Sequence, residues 1–315
     1  MGVASVEVKL NMSKKKKDLI FCLLIIAVPA IQFGIFYIGV NLNSLLMAFQ
    51  SYNVDKTQNT GYYVFNHFEN FKTIYLELKY GSEVWTALKN SFVVFGYNVV
   101  IGITLALVFS LYIYKKMVLS KFFRVLLFLP SILSSIVTVT MYKYFVESGL
   151  PEFLGLANGL LSNPDTAMGT LIFFMIWIGF GTQVLMYSGA MSGIDDSVIE
   201  AAKLDGASPL REFVSVILPM IYPTLVTFLV VNVAGIFTNQ LNLYSFYGNG
   251  AEVKYRTIGY FLFRNTKLAS NAELPGLAAY GVVLTVISVP LTLGVRYLLE
   301  RFGPSEDREG KSHAC

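Results

Sequence analysis

DDSVIEAAKLDGASPLREFVSVILPMIYP, residues 195–223, is the most polar continuous stretch between two long apolar runs. Its local signals describe two short helices with a break between them. Ser197 followed three residues later by Glu200 has the capping-box spacing, so a helix is expected to begin there. Gly206 is expected to end it, because glycine takes the left-handed conformation after a C-cap at little cost. Ser208 before Pro209 is a second start signal, an N-cap followed by proline at the first helical position. The second helix runs on into Pro219 and Pro223. A polar elbow has been built into an apolar chain.

The surroundings explain the contrast. Of 315 residues, 55% are hydrophobic and 14% charged, and the mean hydropathy is +0.58. Soluble domains carry less apolar surface. Runs of about twenty apolar residues recur, each long enough to cross a hydrocarbon core. The expectation is an all-α membrane protein with six transmembrane helices. These are about Leu19 to Val40 with Pro29 inside, Ala87 to Tyr114, Phe123 to Phe145 with Pro130 inside, Met168 to Ala190, Pro219 to Asn239, and Leu277 to Leu299 with Pro290 inside. Residues 1–18 form a basic tail, 19–300 the six-helix domain with its elbow at 195–218, and 301–315 a polar tail. Residues 41–85 mix polar and aromatic types. There Ser44 to Phe49 extends the first helix, and Asn70-Phe71 precedes an amphipathic approach to the second.

Lys14 to Lys17 resemble the basic region of a secretory signal, but the apolar run behind them is too long and has no small-residue cleavage pattern. The run is expected to stay as a helix. Lys115, Lys116, Lys121 and Arg124 crowd the second connection, while the third has Glu147, Glu152 and Asp165 and no lysine or arginine. By the positive-inside rule both termini and the elbow lie on the cytoplasmic side of the plasma membrane. Lys254, Arg256, Arg264 and Lys267 dissent, in a long connection where the rule is weaker. Cys22 and Cys315 suggest no disulfide, and the net charge of +4 gives no reason to invoke nucleic acid.

The apolar segments are nearly free of ionisable groups. Lys89, Arg124 and Lys143 fall near helix ends, where long side chains reach the interface. No relay of buried carboxylates or histidines is present, which argues against proton-driven transport. His67 and His313 have no metal-like neighbours, and no cofactor is expected. Gly310-Lys311-Ser312 resembles the end of a phosphate-binding loop, but the glycine required five residues earlier falls on Ser305. What remains inside the membrane is neutral and polar. Asn232 and Asn239, seven residues apart, are expected to share one face of helix five. Thr238, Gln240 and Asn242 follow them, and Trp177, Gly179, Thr182 and Gln183 form a second patch on helix four. Two readings stay open at this point. One is hydrogen bonding between packed helices. The other is a lining of amides and aromatic faces suited to an uncharged, hydroxyl-rich solute.

The elbow resembles the EAA motif of the membrane-spanning subunits of ATP-binding-cassette importers. It stands here as Glu200-Ala201-Ala202, Asp205-Gly206-Ala207, Leu218-Pro219 and Pro223. Asp205 before Gly206 looks like the carbohydrate-importer branch. Ala87-Leu88-Lys89-Asn90, Phe128-Leu129-Pro130, and Trp177 with Gly179 also fit. The first helix and Asn70-Phe71 look like the maltose-type F subunit of a permease heterodimer.

The resemblance implies a type I importer permease fold and a coupling helix at Glu200, Ala201, Ala202, Asp205 and Gly206. That helix would seat in a separate ATPase dimer. A second permease subunit, an extracellular solute-binding protein and a sugar substrate complete the implied set of partners, with membrane lipid around them. Register from the motif places Asn239 on an asparagine position, Asn232 on a serine position, Gly179 on a glycine position and Thr182 on a tyrosine position. Gly235 and Ile236 fall where the maltose-type subunit has phenylalanine and asparagine, and its large external insertion is absent. Gln183 adds an amide to the same lining. The implied function is import of a di- or oligosaccharide. Import of a polyol or glycerol phosphate is the alternative within the class, and a secondary transporter or channel the alternative outside it.

Overall fold

The computed structural model describes residues 14–55 and 60–304. Most of both expected tails, with His313, Cys315 and the Gly310-Lys311-Ser312 run, lies outside the described residues. The chain is chiefly helical. α1 (Lys14–Gln32) passes through a π-helical segment, Phe33–Gly39, into α2 (Val40–Met47). Pro29 does not break this helix, which spans Asp18–Met47 without interruption. The wider π pitch follows the proline instead.

A short antiparallel hairpin comes next, which the all-α expectation does not contain. β1 (Gln50–Asp55) pairs with β2 (Thr60–Phe65), Gln50 opposite Phe65 and Tyr52 opposite Tyr63. A two-stranded hairpin is marginal by itself, and here α3 (Glu69–Tyr80) secures it. The Asn70 amide donates to the carbonyls of Ala48 at 2.9 Å and Gln50 at 2.8 Å. Phe71 packs against Phe49 with ring centroids 5.1 Å apart. The Asn70-Phe71 pair therefore fastens the hairpin to the end of the first span.

α4 (Ser82–Tyr97), a π segment at Asn98–Ile103 and α5 (Thr104–Tyr114) make the second span. α6 (Ser120–Ile132) and α7 (Ser135–Tyr144) occupy the place expected for one helix from Phe123 to Phe145. They are instead separated at Leu133, whose backbone is extended. With α8 (Leu150–Leu154) closing the segment Ser135–Leu154, the two halves meet at 105°. Pro130 withholds the N–H that would bond the Leu126 carbonyl, and Ser134 begins a new helix.

α9 (Ala167–Ser192) is unbroken over 26 residues. It leads into α10 (Asp196–Leu204) and α11 (Pro209–Glu212), the elbow. A π segment at Phe213–Ile217 joins α11 to α12 (Leu218–Met220), and α13 (Tyr222–Ala234) follows at a 70° bend. Pro223 has no N–H for the Pro219 carbonyl, so the ladder is interrupted at that bend. The fifth helix also stops at Ala234, with Gly235 as its C-cap, rather than running to Asn239. α14 (Leu243–Tyr247) and α15 (Ile258–Leu268) fold against the bundle, and α16 (Leu274–Phe302) closes it with Pro290 inside.

Among the described residues four helices are long and apolar enough to cross a membrane, or six if each bent pair is one span. The expected count of six rests on that pairing. Among the described residues, four buried apolar clusters hold the bundle. One, at the end away from the elbow, gathers Leu171, Phe174, Leu241, Phe246 and Tyr260. A second joins α3, α4, α15 and α16 around Ile74, Ala87, Ile258 and Ala279. A third packs α5 on α9 through Ala106, Phe180 and Tyr187. The fourth, Met191, Ile194, Ile199, Ile217 and Ile221, lies directly beneath the elbow.

Candidate coupling elbow and polar path

The elbow is defined by its caps. Asp195, extended at φ −63° and ψ 132°, accepts from the Ser197 backbone N–H at 2.9 Å. The cap is thus Asp195, not Ser197, and Ser197 lies inside the first turn. Both residues are good caps, but only Asp195 has the non-helical backbone that a cap requires. The hydrogen bonds from Ser197 hold the Asp195 carboxyl below its ordinary pKa. At the other end, the Ala207 N–H reaches the Ala202 carbonyl and the Gly206 N–H reaches Lys203, each at 3.0 Å. This is a Schellman closure, and Gly206 takes its left-handed position at φ +76°. Ser208 then accepts from the Arg211 N–H at 3.4 Å and Pro209 opens α11, as the sequence signals.

Ile199 turns inward from α10 and is 6% exposed in the cluster beneath. Burying such a side chain contributes roughly 1.5–3 kcal/mol, enough to fix which face looks out. Glu200, Ala201, Asp205 and Gly206 are exposed and Ala202 is half-buried. Leu204 is 89% exposed and Leu210 73%. The exposed residues of the elbow therefore include the Glu200 and Asp205 carboxylates and two bare leucines.

The polar groups within the bundle are distributed differently from the expectation. Asn232 lies on α13, where its amide donates to the Phe228 carbonyl at 2.8 Å. Its side-chain oxygen accepts from the Asn98 amide. Asn98 opens the π segment of the second span, and sequence reasoning passed over it. The signal available was a lone asparagine inside an apolar run, where an amide needs a partner. Asn239 lies beyond the end of α13, just past the turn at 235–238, so it does not share a helical face with Asn232. It donates to the Met175 sulfur at 3.1 Å and accepts from the Leu241 N–H at 2.8 Å.

On α9, Gly179 and Thr182 are exposed and Gln183 is half-buried. Gly235 caps α13. Ile236 is 3% exposed and packs in the second cluster, so its side chain is occupied in the core. Trp177 borders an aromatic group, its ring 6.1 Å from those of Tyr142 and Phe174. The structure thus brings Asn98 to Asn232 and Met175 to Asn239, linking α9 and the second span to the α13 arm. Neither α9 nor α13 carries a charged residue.

Residues 98–304 match the pattern that defines a family described as the binding-protein-dependent transport system inner membrane component. Among curated proteins, the sn-glycerol-3-phosphate transport system permease protein UgpA of Pectobacterium atrosepticum is 27% identical over 232 residues. That alignment covers 71% of this chain and 77% of the relative. The probable ABC transporter permease protein YurN of Bacillus subtilis is 28% identical over 281 residues, covering 84% of this chain and 91% of the relative. Among solved structures, a chain of a bacterial ABC transporter involved in import of the acidic polysaccharide alginate superposes with a TM-score of 0.71. The identity there is 20%, over 92% of this chain and 99% of that one. At that identity the likeness is one of fold.

Proposed function

The chain belongs to the family of binding-protein-dependent transport system inner membrane components, and from that membership we propose that it is the permease subunit of an ATP-driven importer for a di- or oligosaccharide. The observation that carries the reading is the elbow. It is a doubly capped helical break with its apolar face buried and a mixed face left outside. ATP hydrolysis belongs to a partner ATPase dimer, which the face bearing Glu200, Ala201, Ala202, Asp205 and Gly206 receives. Closure of the dimer moves the elbow, and the helices on either side of it switch the path between two openings.

A second permease subunit completes that path. The window of the first span, Asp18–Met47, has no buried residue, and Leu24, Val28 and Phe36 are 66–70% exposed. An external solute-binding protein delivers the cargo, and both termini and the elbow face the cytoplasm. The polar groups on α9 and α13, with Asn98, are amides, hydroxyls and aromatic rings without charge. That favours an uncharged sugar. The named cargo of the glycerol phosphate relatives favours a polyol or its phosphate, which would take its cation from the second subunit.

Purification of the assembly in mild detergent tests the reading. The expected result is co-elution with an ATPase and a second permease, and sugar uptake in liposomes that stops when ATP is withheld. A homo-oligomer that transports without ATP would overturn it.

The Asn98–Asn232 pair separates packing from path. Asn232→Ala alone strands the Asn98 amide, at a cost of about 1–3 kcal/mol. Removing both amides relieves that cost. Thermal stability is therefore expected to fall in the single variant and recover in Asn98→Ala/Asn232→Ala. Uptake is expected to stay low in both. Uptake that recovers together with stability would assign the pair to packing.

A further inference from the structure

Lys115 and Glu212 meet across 97 residues of sequence, the ammonium on the carboxylate. Lys115 follows the last residue of α5, and Glu212 is the last residue of α11, the second helix of the elbow. Glu212 is 2% exposed, while the Lys115 side chain is 26% exposed. The pair sits beside the apolar cluster beneath the elbow, to which α5 contributes Leu107, Leu111 and Tyr114. The end of α5 is therefore held to the elbow by the ion pair and by the apolar cluster beneath it.

A buried ion pair seldom stabilises more than apolar residues of the same size would, and its best-attested use is to fix one arrangement against others. The need for that is visible here. α11 lies between the left-handed break at Gly206 and the 70° bend at Ile221. The apolar contacts beneath it are non-directional and would tolerate sliding. Among the ion pairs of the described residues, Lys115–Glu212 is the one that reaches the elbow region.

We infer that Lys115 and Glu212 are positioning residues that tie the second span to α11, the second helix of the elbow, so that α5 and α11 move together when the elbow is displaced. This rests on the coupling role proposed above. It adds that the displacement reaches the second span, and with it Asn98, as well as α9 and α13.

The test uses the full chain with Cys22 and Cys315 replaced by serine and nitroxides at Val118→Cys and Ser215→Cys. Both labelling positions are exposed. The assembled complex in lipid nanodiscs is measured without nucleotide and with MgATP plus vanadate. One narrow label distance with an unchanged mean is expected in both states. Glu212→Gln should broaden the distribution about twofold in the trapped state, because the two bodies then move separately. Lys115→Glu/Glu212→Lys should narrow it again. Restoration by reversed charges is a result that a general packing defect would not give. If Glu212→Gln does not assemble, Lys115→Met tests the same pair from its more accessible side. A neutral variant with the wild-type width in both states overturns the tie, as does a reversed pair that assembles and hydrolyses ATP yet stays broad. A wild-type chain that recruits no ATPase would refute the coupling role instead. The widths measured in the permease alone would then still judge the tie.

Discussion

Gly206→Pro is expected to abolish ATP-driven uptake while leaving the spans in the membrane. Gly206 sits at φ +76°, and proline is fixed near −65°. The substitution also removes the N–H that closes on Lys203. A Cβ built at this position meets nothing within 4 Å, so the defect lies in the backbone and not in crowding. That separation predicts a graded series. Gly206→Ala meets only the left-handed penalty of about 1–2 kcal/mol, and should lose roughly fivefold to thirtyfold of coupled activity if the strain falls on the elbow. Gly206→Pro cannot adopt the conformation, and a cost of about 3 kcal/mol corresponds to a loss of two decades or more. Uptake and ATP hydrolysis by the purified complex measure both. Normal ATP-dependent uptake by the proline variant would remove the coupling role from the elbow.

The second large effect is expected at Gly181, for the opposite reason. A Cβ there would lie 2.2 Å from the Leu127 carbonyl oxygen and 2.8 Å from the Phe128 Cα. These are backbone atoms of α6 and cannot swing aside. Small residues let membrane helices approach this closely. Gly181→Ala is expected to force α6 from α9 at a cost of about 1–3 kcal/mol, and Gly181→Leu at more. Gly189, on the same helix, has nothing within 4 Å of its Cβ position. Gly189→Ala is therefore the control and should leave stability unchanged. Thermal unfolding followed by size-exclusion fluorescence reads the difference. If Gly181→Ala melts with Gly189→Ala, the close approach of α6 to α9 is not a stability determinant.

Much of the elbow was legible in the sequence because its signals are local. Gly206, Ser208 and Pro209 each dictate the conformation of one or two residues, and all three act as expected. The first cap was misplaced by two residues because Asp195 and Ser197 are equally suited to the task. Only the backbone path arriving from α9 chooses between them. The break in the third span was half visible. Pro130 does lie inside a helix, and the signal for the restart is Ser134, a usual N-cap residue just past its end. Gly235 likewise carries a helix stop, and it keeps Asn239 off the face of α13 that the seven-residue spacing implies. The hairpin was hidden for a different reason. Its strands are six residues each, and Asn70 holds them through contacts about twenty residues away in sequence. For the polar path, residue types could nominate asparagines, but pairing Asn98 with Asn232 required the fold.

The two arms of the elbow differ in a way that bears on how force is shared. α9 runs about 39 Å at the usual rise of 1.5 Å per residue, with no proline and no π segment along its length. The other arm has a π segment, a proline on either side of its bend, and 70° of curvature at Ile221. Axial load applied at the elbow would therefore fall more on α9 than on the α12–α13 arm, where the compliance resides. The far end of α9 plants Ala167, Leu171 and Phe174 among Leu241, Leu243 and Phe246. A thrust delivered at one membrane surface would be felt at the other as a displacement of that aromatic cluster, with the yielding arm absorbing the recoil.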